Sequence, residues 1–308
     1  SDVMKWKVDG QTIAGGNGQG DKLNQLWYPK GIYVDDEEQC IYIADKENHR
    51  IVKWKLDSGS DYGEIVAGEN DEGNRIHQLN YPRDVILDEK KKSLIISDFE
   101  NRRVVQWALQ NSNGDKQILI ENIQCFGLLM NENGDLFVSD WNQHAVKRWR
   151  KGEIGRKREG IIVAGGNGRG NKLNQLNNPT HIFVDREETI YVSDKENRRV
   201  MKWYKGASEG IIVAGGQGQG NSLNQLNSPV GLVVNDVGDI YVADWGNGRI
   251  MCWPLGSKEG RVVVGGNGEG KGSNQLNHPS GLSFDVENNL YVADQGNHRI
   301  QRFGIDRN

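Results

Sequence analysis

The stretch IYIADKENHRIVKW, residues 41–54, decides the fold, because five further stretches repeat its pattern. They are LIISDFENRRVVQW (94–107), LFVSDWNQHAVKRW (136–149), IYVSDKENRRVMKW (190–203), IYVADWGNGRIMCW (240–253) and LYVADQGNHRIQRF (290–303). Their aspartates, Asp45, Asp98, Asp140, Asp194, Asp244 and Asp294, stand 53, 42, 54, 50 and 50 residues apart. A period of this length marks a repeat architecture in which every copy is one supersecondary unit.

Each unit reads as four short strands. An apolar run such as GIYVD (a) is followed by IYIAD (b), then, after a tight turn through Asn, RIVKW (c), and a run like GIIVAGG (d). So small a sheet cannot bury both faces alone, and packing the units radially into a β-propeller covers the faces and leaves only short edges. Strand types a, b and c each occur six times, the last ending near residue 303. Type d also occurs six times, as TIAGG, EIVAG, QILI, IIVAG, IIVAG and VVVGG, and the first copy begins at residue 12. The expected fold is therefore all-β. It is a single domain over residues 1–308, built of six four-stranded antiparallel blades, with an N-terminal outer strand completing the C-terminal blade. VMKW at residues 3–6 resembles an additional c strand, which would compete with IQRF for the same place.

Composition agrees with short strands and tight turns: 40 glycines and 9 tryptophans in 308 residues. A net charge of −4 gives no general pull toward nucleic acid or anionic membrane. No run of about 18 apolar residues is present, and SDVMKWKVDG lacks the basic-then-apolar design of a signal peptide. The opening Ser in place of Met is read as the mark of a mature fragment. Cys40, Cys125 and Cys252 share no metal-ligand spacing and read as structural thiols. That leans toward a reducing, cytoplasmic setting, with an extracellular one open if the chain is a fragment.

ADKENHRIVKW and ADQGNHRIQRF resemble NHL repeats, and the resemblance extends over nearly the whole chain. It implies a six-bladed β-propeller. Propellers of this kind serve as RNA- or protein-binding domains of regulatory proteins, as extracellular sensor domains of bacterial kinases and as a metal-dependent amidating lyase, so the fold alone does not choose a function.

Residues that recur build the frame. The pairs Asp45/Arg50, Asp98/Arg103, Asp194/Arg199, Asp244/Arg249 and Asp294/Arg299 are expected to be structural, joining adjacent strands or blades by charge-assisted hydrogen bonds. Ala145 breaks the pattern in the third unit and leaves Asp140 to find another partner. Trp54, Trp107, Trp149, Trp203, Trp253 and Phe303 end the c strands and are expected to pack between blades. The rival reading is lectin-like, with several aromatic pockets each holding a sugar. The glycine-rich stretch GGNGRGNKLNQLNNP (165–179) and its four relatives look like phosphate cradles but lead into strands, where a phosphate loop needs a helix. They read as d-to-a linkers, absent before the third unit, where ENIQCFG stands.

Residues that differ between copies on one face are the candidates for recognition. The d-to-a linkers and b-to-c turns share that face, and they bring to it Tyr28, Lys30, Tyr81, Arg83, Phe99, Phe126, Trp141, His181 and Trp245, expected as exposed aromatics and cations of a ligand site. Lys46, Lys195 and Gln295 hold the position directly after the b-strand aspartate. KRWRKGEIGRKREG (147–160) spans the c-to-d hairpin of the third unit and reads as a solvated turn, with an anionic partner or a membrane-surface contact as the alternative. At the start of the a strands His181 and Asp84 stand where the other units have Gly31, Gly127, Gly231 and Gly281; one histidine and one aspartate do not make a three-ligand zinc site, although His278 and His77 could lie near the same mouth. No nucleophile with a base and an orienting group can be named.

The expected function is thus a non-catalytic module, monomeric as an isolated domain and without a cofactor or metal, that binds a protein or peptide on the linker face. The alternatives are single-stranded RNA on the same face, multivalent glycan binding, and a metal-dependent lyase or hydrolase.

Overall fold

The computed structural model describes residues 4–56, 60–68, 71–90, 92–109, 115–155 and 159–307. Six four-stranded antiparallel sheets form the ring of a β-propeller. Blade 1 comprises Pro29–Asp35, Cys40–Asp45, Arg50–Lys55 and Glu64–Gly68; blade 2, Pro82–Asp88, Ser93–Asp98, Arg103–Ala108 and Lys116–Glu121. Blade 3 comprises Cys125–Met130, Leu136–Asp140, Ala145–Trp149 and Ile161–Gly165; blade 4, Pro179–Val184, Ile190–Asp194, Arg199–Trp203 and Ile211–Gly215. Blade 5 comprises Pro229–Val234, Ile240–Asp244, Arg249–Trp253 and Arg261–Gly265. Blade 6 takes Pro279–Phe284, Leu290–Asp294 and Arg299–Phe303 from the end of the chain and Gln11–Gly15 from its start. The expected closure is observed: Gln11 pairs with Arg302 and Gly15 with Arg299.

The apolar core is divided into six inter-blade layers. Tyr42 and Ala44 of blade 1, for example, pack with Leu94, Ile96 and Trp107 of blade 2, and Phe137 and Val146 of blade 3 with Val192, Met201 and Trp203 of blade 4. Each c-strand aromatic contributes to one layer and is at most 8% exposed. A Cβ on Gly63, Gly160, Gly210 or Gly260 would lie 2.7–2.9 Å from ring atoms of Trp54, Trp149, Trp203 or Trp253. The backbone that precedes these four d strands therefore lies against the indole and covers one face of it.

VMKW does not compete with IQRF. Trp6 forms a bridge with Ile305, beyond the c strand. Lys7 N donates to Gly304 O at 2.8 Å and Asp306 N to Lys5 O at 2.8 Å. The Trp6 indole stacks on Phe284, meets Tyr241 edge-on and donates from Nε1 to Asn288 O. It caps the layer between blades 5 and 6. Val3 lies outside the described residues.

Around the axis the a strands approach so closely that glycine is required. A Cβ on Gly231 would stand 2.0 Å from Ser280 O, and one on Gly281 2.4 Å from Lys30 O, both backbone atoms that cannot swing away. Gly231→Ala is therefore expected to cost about 2 kcal/mol through overpacking, read as a lower urea midpoint; an unchanged midpoint would refute the close contact.

Candidate functional site

The five Asp/Arg pairs are each hydrogen-bonded within their blade, and each arginine also binds the carbonyls of the linker before it. In blade 1, Arg50 Nε donates to Asp45 Oδ2 at 2.7 Å, Nη1 to Asp21 O at 2.7 Å, and Nη2 to Lys22 O at 3.2 Å and Gln25 O at 3.0 Å. Asp45 also accepts from Trp27 N at 2.7 Å and Asn48 Nδ2 at 2.8 Å. The same knot recurs at Asp98, Asp194, Asp244 and Asp294. In blade 3 Asp140 finds Lys147 instead, at 3.0 Å. Lys147 and Arg148 thus leave the basic stretch of the c-to-d hairpin as ion-paired residues, Arg148 binding Asp135 and Glu188. Residues 156–158 of that stretch lie outside the described residues.

The knots fix a turn that aims side chains at one face. After the b-strand aspartate comes a single 3-10 turn, such as Lys46–Asn48, and then a left-handed residue: His49, Arg198, Gly248 or His298. Where that residue is histidine, its Nδ1 accepts from the backbone of the next linker. His298 takes Tyr28 N at 3.2 Å, His49 takes Tyr81 N at 3.2 Å and His144 takes Asn178 N at 3.1 Å. Burial pushes all three imidazoles below their ordinary range, which keeps them neutral acceptors. Tyr28 and Tyr81 themselves have φ of 51° and 50°, a conformation uncommon outside glycine, and the histidine bond holds them there. The sequence carries these histidines in plain view; that their rings reach the following blade depends on the ring being closed.

Eight of the nine candidate residues, all but Lys30, fall into two groups of ring and cation contacts. Lys46 Nζ lies 5.8 Å from the Tyr28 ring centre and 5.1 Å from that of Tyr81. Arg83 Cζ lies 4.4 Å from the Phe99 centre and 5.4 Å from that of Phe126. Phe126 stacks on Trp141 and meets His181 edge-on. Lys195 Nζ is 5.4 Å from the Trp141 centre and 6.0 Å from that of Trp245. Trp245 covers His278 and donates from Nε1 to Gln295. Three cations, each flanked by two aromatic rings, thus form an arc around the channel mouth.

One expectation is corrected. Phe99 and Phe126 are each 4% exposed, Lys30 is 7% and His181 8%, so they are not surface groups. Six inner strands converge at the axis, and Phe99, Phe126 and Val230, with Trp141 and Trp245 beside them, close over it as a small apolar cluster. Tyr28, Tyr81, Trp141 and Trp245 remain partly or largely open to solvent.

Beneath the aromatic arc sit buried polar groups. Burial, then repulsion from Arg83, Lys46 and Lys195, holds the Lys30 ammonium well below its ordinary pKa, with Glu47 alone acting the other way. Burial pushes Asp84 up to about 7, although its oxygens accept from Val85 N at 3.0 Å and Leu128 N at 2.9 Å. Burial and then Lys30 push His181 down to about 3; the Val230 carbonyl acts weakly the other way, without hydrogen-bonding geometry to either ring nitrogen. His181 Nε2 stands 3.9 Å from Asp84 Oδ1. Among the described residues no three His, Cys, Asp or Glu gather to hold a metal ion, and no helix is long and apolar enough to cross a membrane.

Ring, blades and closure define a six-bladed β-propeller. The NHL-repeat model matches residues 26–54, 226–253 and 276–303, so these three stretches are NHL repeats within a six-bladed propeller. No curated protein matches it in sequence. Similar solved structures include an auxiliary nutrient binding protein from Bacteroides thetaiotaomicron VPI-5482, at 17% identity over 97% of this chain and 76% of that one, with a TM-score of 0.73. A gluconolactonase from Xanthomonas campestris is similar at 11% identity, 99% and 98% coverage and a TM-score of 0.65. A catalytically inactive virginiamycin B lyase from Staphylococcus aureus is similar at 12% identity, 94% and 99% coverage and a TM-score of 0.59. At these identities the likeness is one of fold, and the neighbours include both binding proteins and enzymes.

Proposed function

We propose that the chain is a non-catalytic binding module that holds a protein or peptide on its linker face. The observation that carries this reading is the arc of cations flanked by aromatics: Lys46 between Tyr28 and Tyr81, Arg83 between Phe99 and Phe126, and Lys195 between Trp141 and Trp245. Rigid aromatic and arginine anchors, ordered before the ligand arrives, are the usual source of binding energy in protein interfaces. Single-stranded RNA is the weaker candidate on the same geometry. A base needs an open ring face to stack on, whereas Phe99 and Phe126 are buried and the cations already lie over the rings.

The test is selection of peptides from a displayed library, with affinities measured by calorimetry. Trp141→Ala and Tyr81→Ala are each expected to weaken a selected peptide at least tenfold, the scale of a hot-spot residue. Tighter binding of oligouridine or oligoadenosine than of any peptide, with affinity falling steeply as salt rises, would replace this reading with the RNA one.

A further inference from the structure

Lys30, Arg83 and His181 share an oddity that the aromatic arc does not account for: each carries a polar atom without a hydrogen-bond partner among the described residues. Lys30 is 7% exposed, and its ammonium has no hydrogen bond or ion pair among the described residues. Arg83 Nε is buried without an acceptor, and neither ring nitrogen of His181 has a hydrogen-bond partner. A buried donor left unsatisfied costs on the order of 1–3 kcal/mol, and an unpaired charge more. Three such groups at one channel mouth are a sustained cost that a purely structural role would remove by substitution to apolar residues. Nearby carboxyls do not relieve it. Asp84 is taken up by two backbone amides, Glu47 is paired with Lys46, and Glu100 acts on Arg83 but leaves its Nε without an acceptor.

We propose that the channel mouth is a carboxylate-binding pocket in which Lys30, Arg83 and His181 hold one acidic group of the ligand. The proposal rests on the reading of this face as a protein- or peptide-binding surface, and gives that surface a specific anchor. Arg83 and His181 both lie against the Phe126 ring, the guanidinium carbon 5.4 Å and the imidazole centre 5.5 Å from its centre; a carboxylate is the flat, two-oxygen acceptor that suits donors of this kind, and Lys30 supplies the opposite charge. Beneath them the inner strands pack backbone to backbone: a Cβ on Gly127, Gly231 or Gly281 would lie within 2.7 Å of a carbonyl oxygen of the neighbouring strand. A planar carboxylate fits this description better than a tetrahedral phosphate. On a peptide it can come from an aspartate or glutamate side chain or from the chain's own C-terminus.

The first experiment uses acetate and inorganic phosphate as probes, at constant ionic strength, with NMR of the His181 ring and thermal unfolding as readouts. Acetate is expected to shift the His181 resonances saturably and to raise Tm, and phosphate to do so less. Lys30→Met should abolish the acetate response while raising the Tm of the free protein by a few degrees, since methionine fills the same space without a buried charge. No saturable response in the wild type, an equal response in Lys30→Met, or a stronger response to phosphate overturns the pocket. The second experiment takes a peptide selected on the face and replaces each acidic side chain by its amide, or amidates its C-terminus. The change that removes the anchoring carboxylate is expected to weaken binding at least tenfold and identifies its source. A peptide indifferent to every such change overturns the pocket and leaves the binding surface standing. An acetate response with no peptide selected supports the pocket and counts against the surface reading alone.

Discussion

Arg50→Met is expected to destabilise the propeller by about 3 kcal/mol or more, the cost of removing one partner from a buried ion pair. Arg50 is 1% exposed and Asp45 fully buried. The substitution strands the Asp45 charge with only Trp27 N and Asn48 Nδ2 for company. It also leaves the carbonyls of Asp21, Lys22 and Gln25 without the guanidinium that gathers them. Urea unfolding of three variants separates these effects. Adding Asp45→Asn to Arg50→Met should recover part of the loss, because the unpaired charge goes while the linker carbonyls stay unsatisfied. Lys147→Met, which removes the corresponding partner of Asp140, should cost less than Arg50→Met. The Lys147 side chain is 16% exposed, so water can replace part of what it gives. A loss below about 1 kcal/mol for Arg50→Met would contradict the measured range for broken buried pairs and remove the knot from the account of stability.

The knot also explains two irregularities of the repeat as one. The third unit is short by the length of a linker and has Ala145 where the others have arginine. Since each arginine binds the carbonyls of the linker that precedes its own blade, a blade entered through ENIQCFG has nothing for it to hold. Spacing and substitution are both visible in the sequence, but their connection requires knowing which linker the guanidinium reaches.

Fold and frame are legible in the sequence because they repeat: one alternating pattern, copied six times, defines every strand, and the spare d strand at the start of the chain defines the closure. The site is legible only as a set of positions. Strand and turn order place Lys30, Phe99, Phe126 and His181 on the correct face, yet their burial arises where strands from all six blades meet, and nothing in any single repeat carries that information. The role of the histidines at 49, 144 and 298 is hidden for a related reason. Within one unit they look like ordinary turn residues, and only the neighbouring blade reveals the backbone amide that each one accepts.

The buried pair at the axis gives the second large effect. Asp84 titrates near 7 in the folded chain and near ~3.9 when unfolded. Between those values the folded state keeps a proton that the unfolded state has released, so this group's stabilisation is full below ~4 and is lost as pH rises through 7. His181 runs the other way. Its folded value near 3 lies below the unfolded ~6.5, so the unfolded state takes up the proton first and stability rises with pH across that interval. From about pH 4 to about pH 6.5 the two slopes oppose and largely cancel, and the wild type hides both. Asp84→Asn exposes them. Relative to wild type, its stability should climb by about 4 kcal/mol between pH 4 and pH 8, at about 1.36 kcal/mol for every pH unit between the unfolded and folded titration points. A constant offset of about 1 kcal/mol is superimposed, because the amide leaves one of the Val85 and Leu128 amides without an acceptor. His181→Gln should give the mirror image, gaining on wild type as pH falls from about 6.5 toward 4. Urea unfolding at successive pH values measures all three curves. Parallel curves for Asp84→Asn and wild type would mean that the carboxyl is solvated rather than buried, and that the polar groups at the axis belong to an open, water-filled channel.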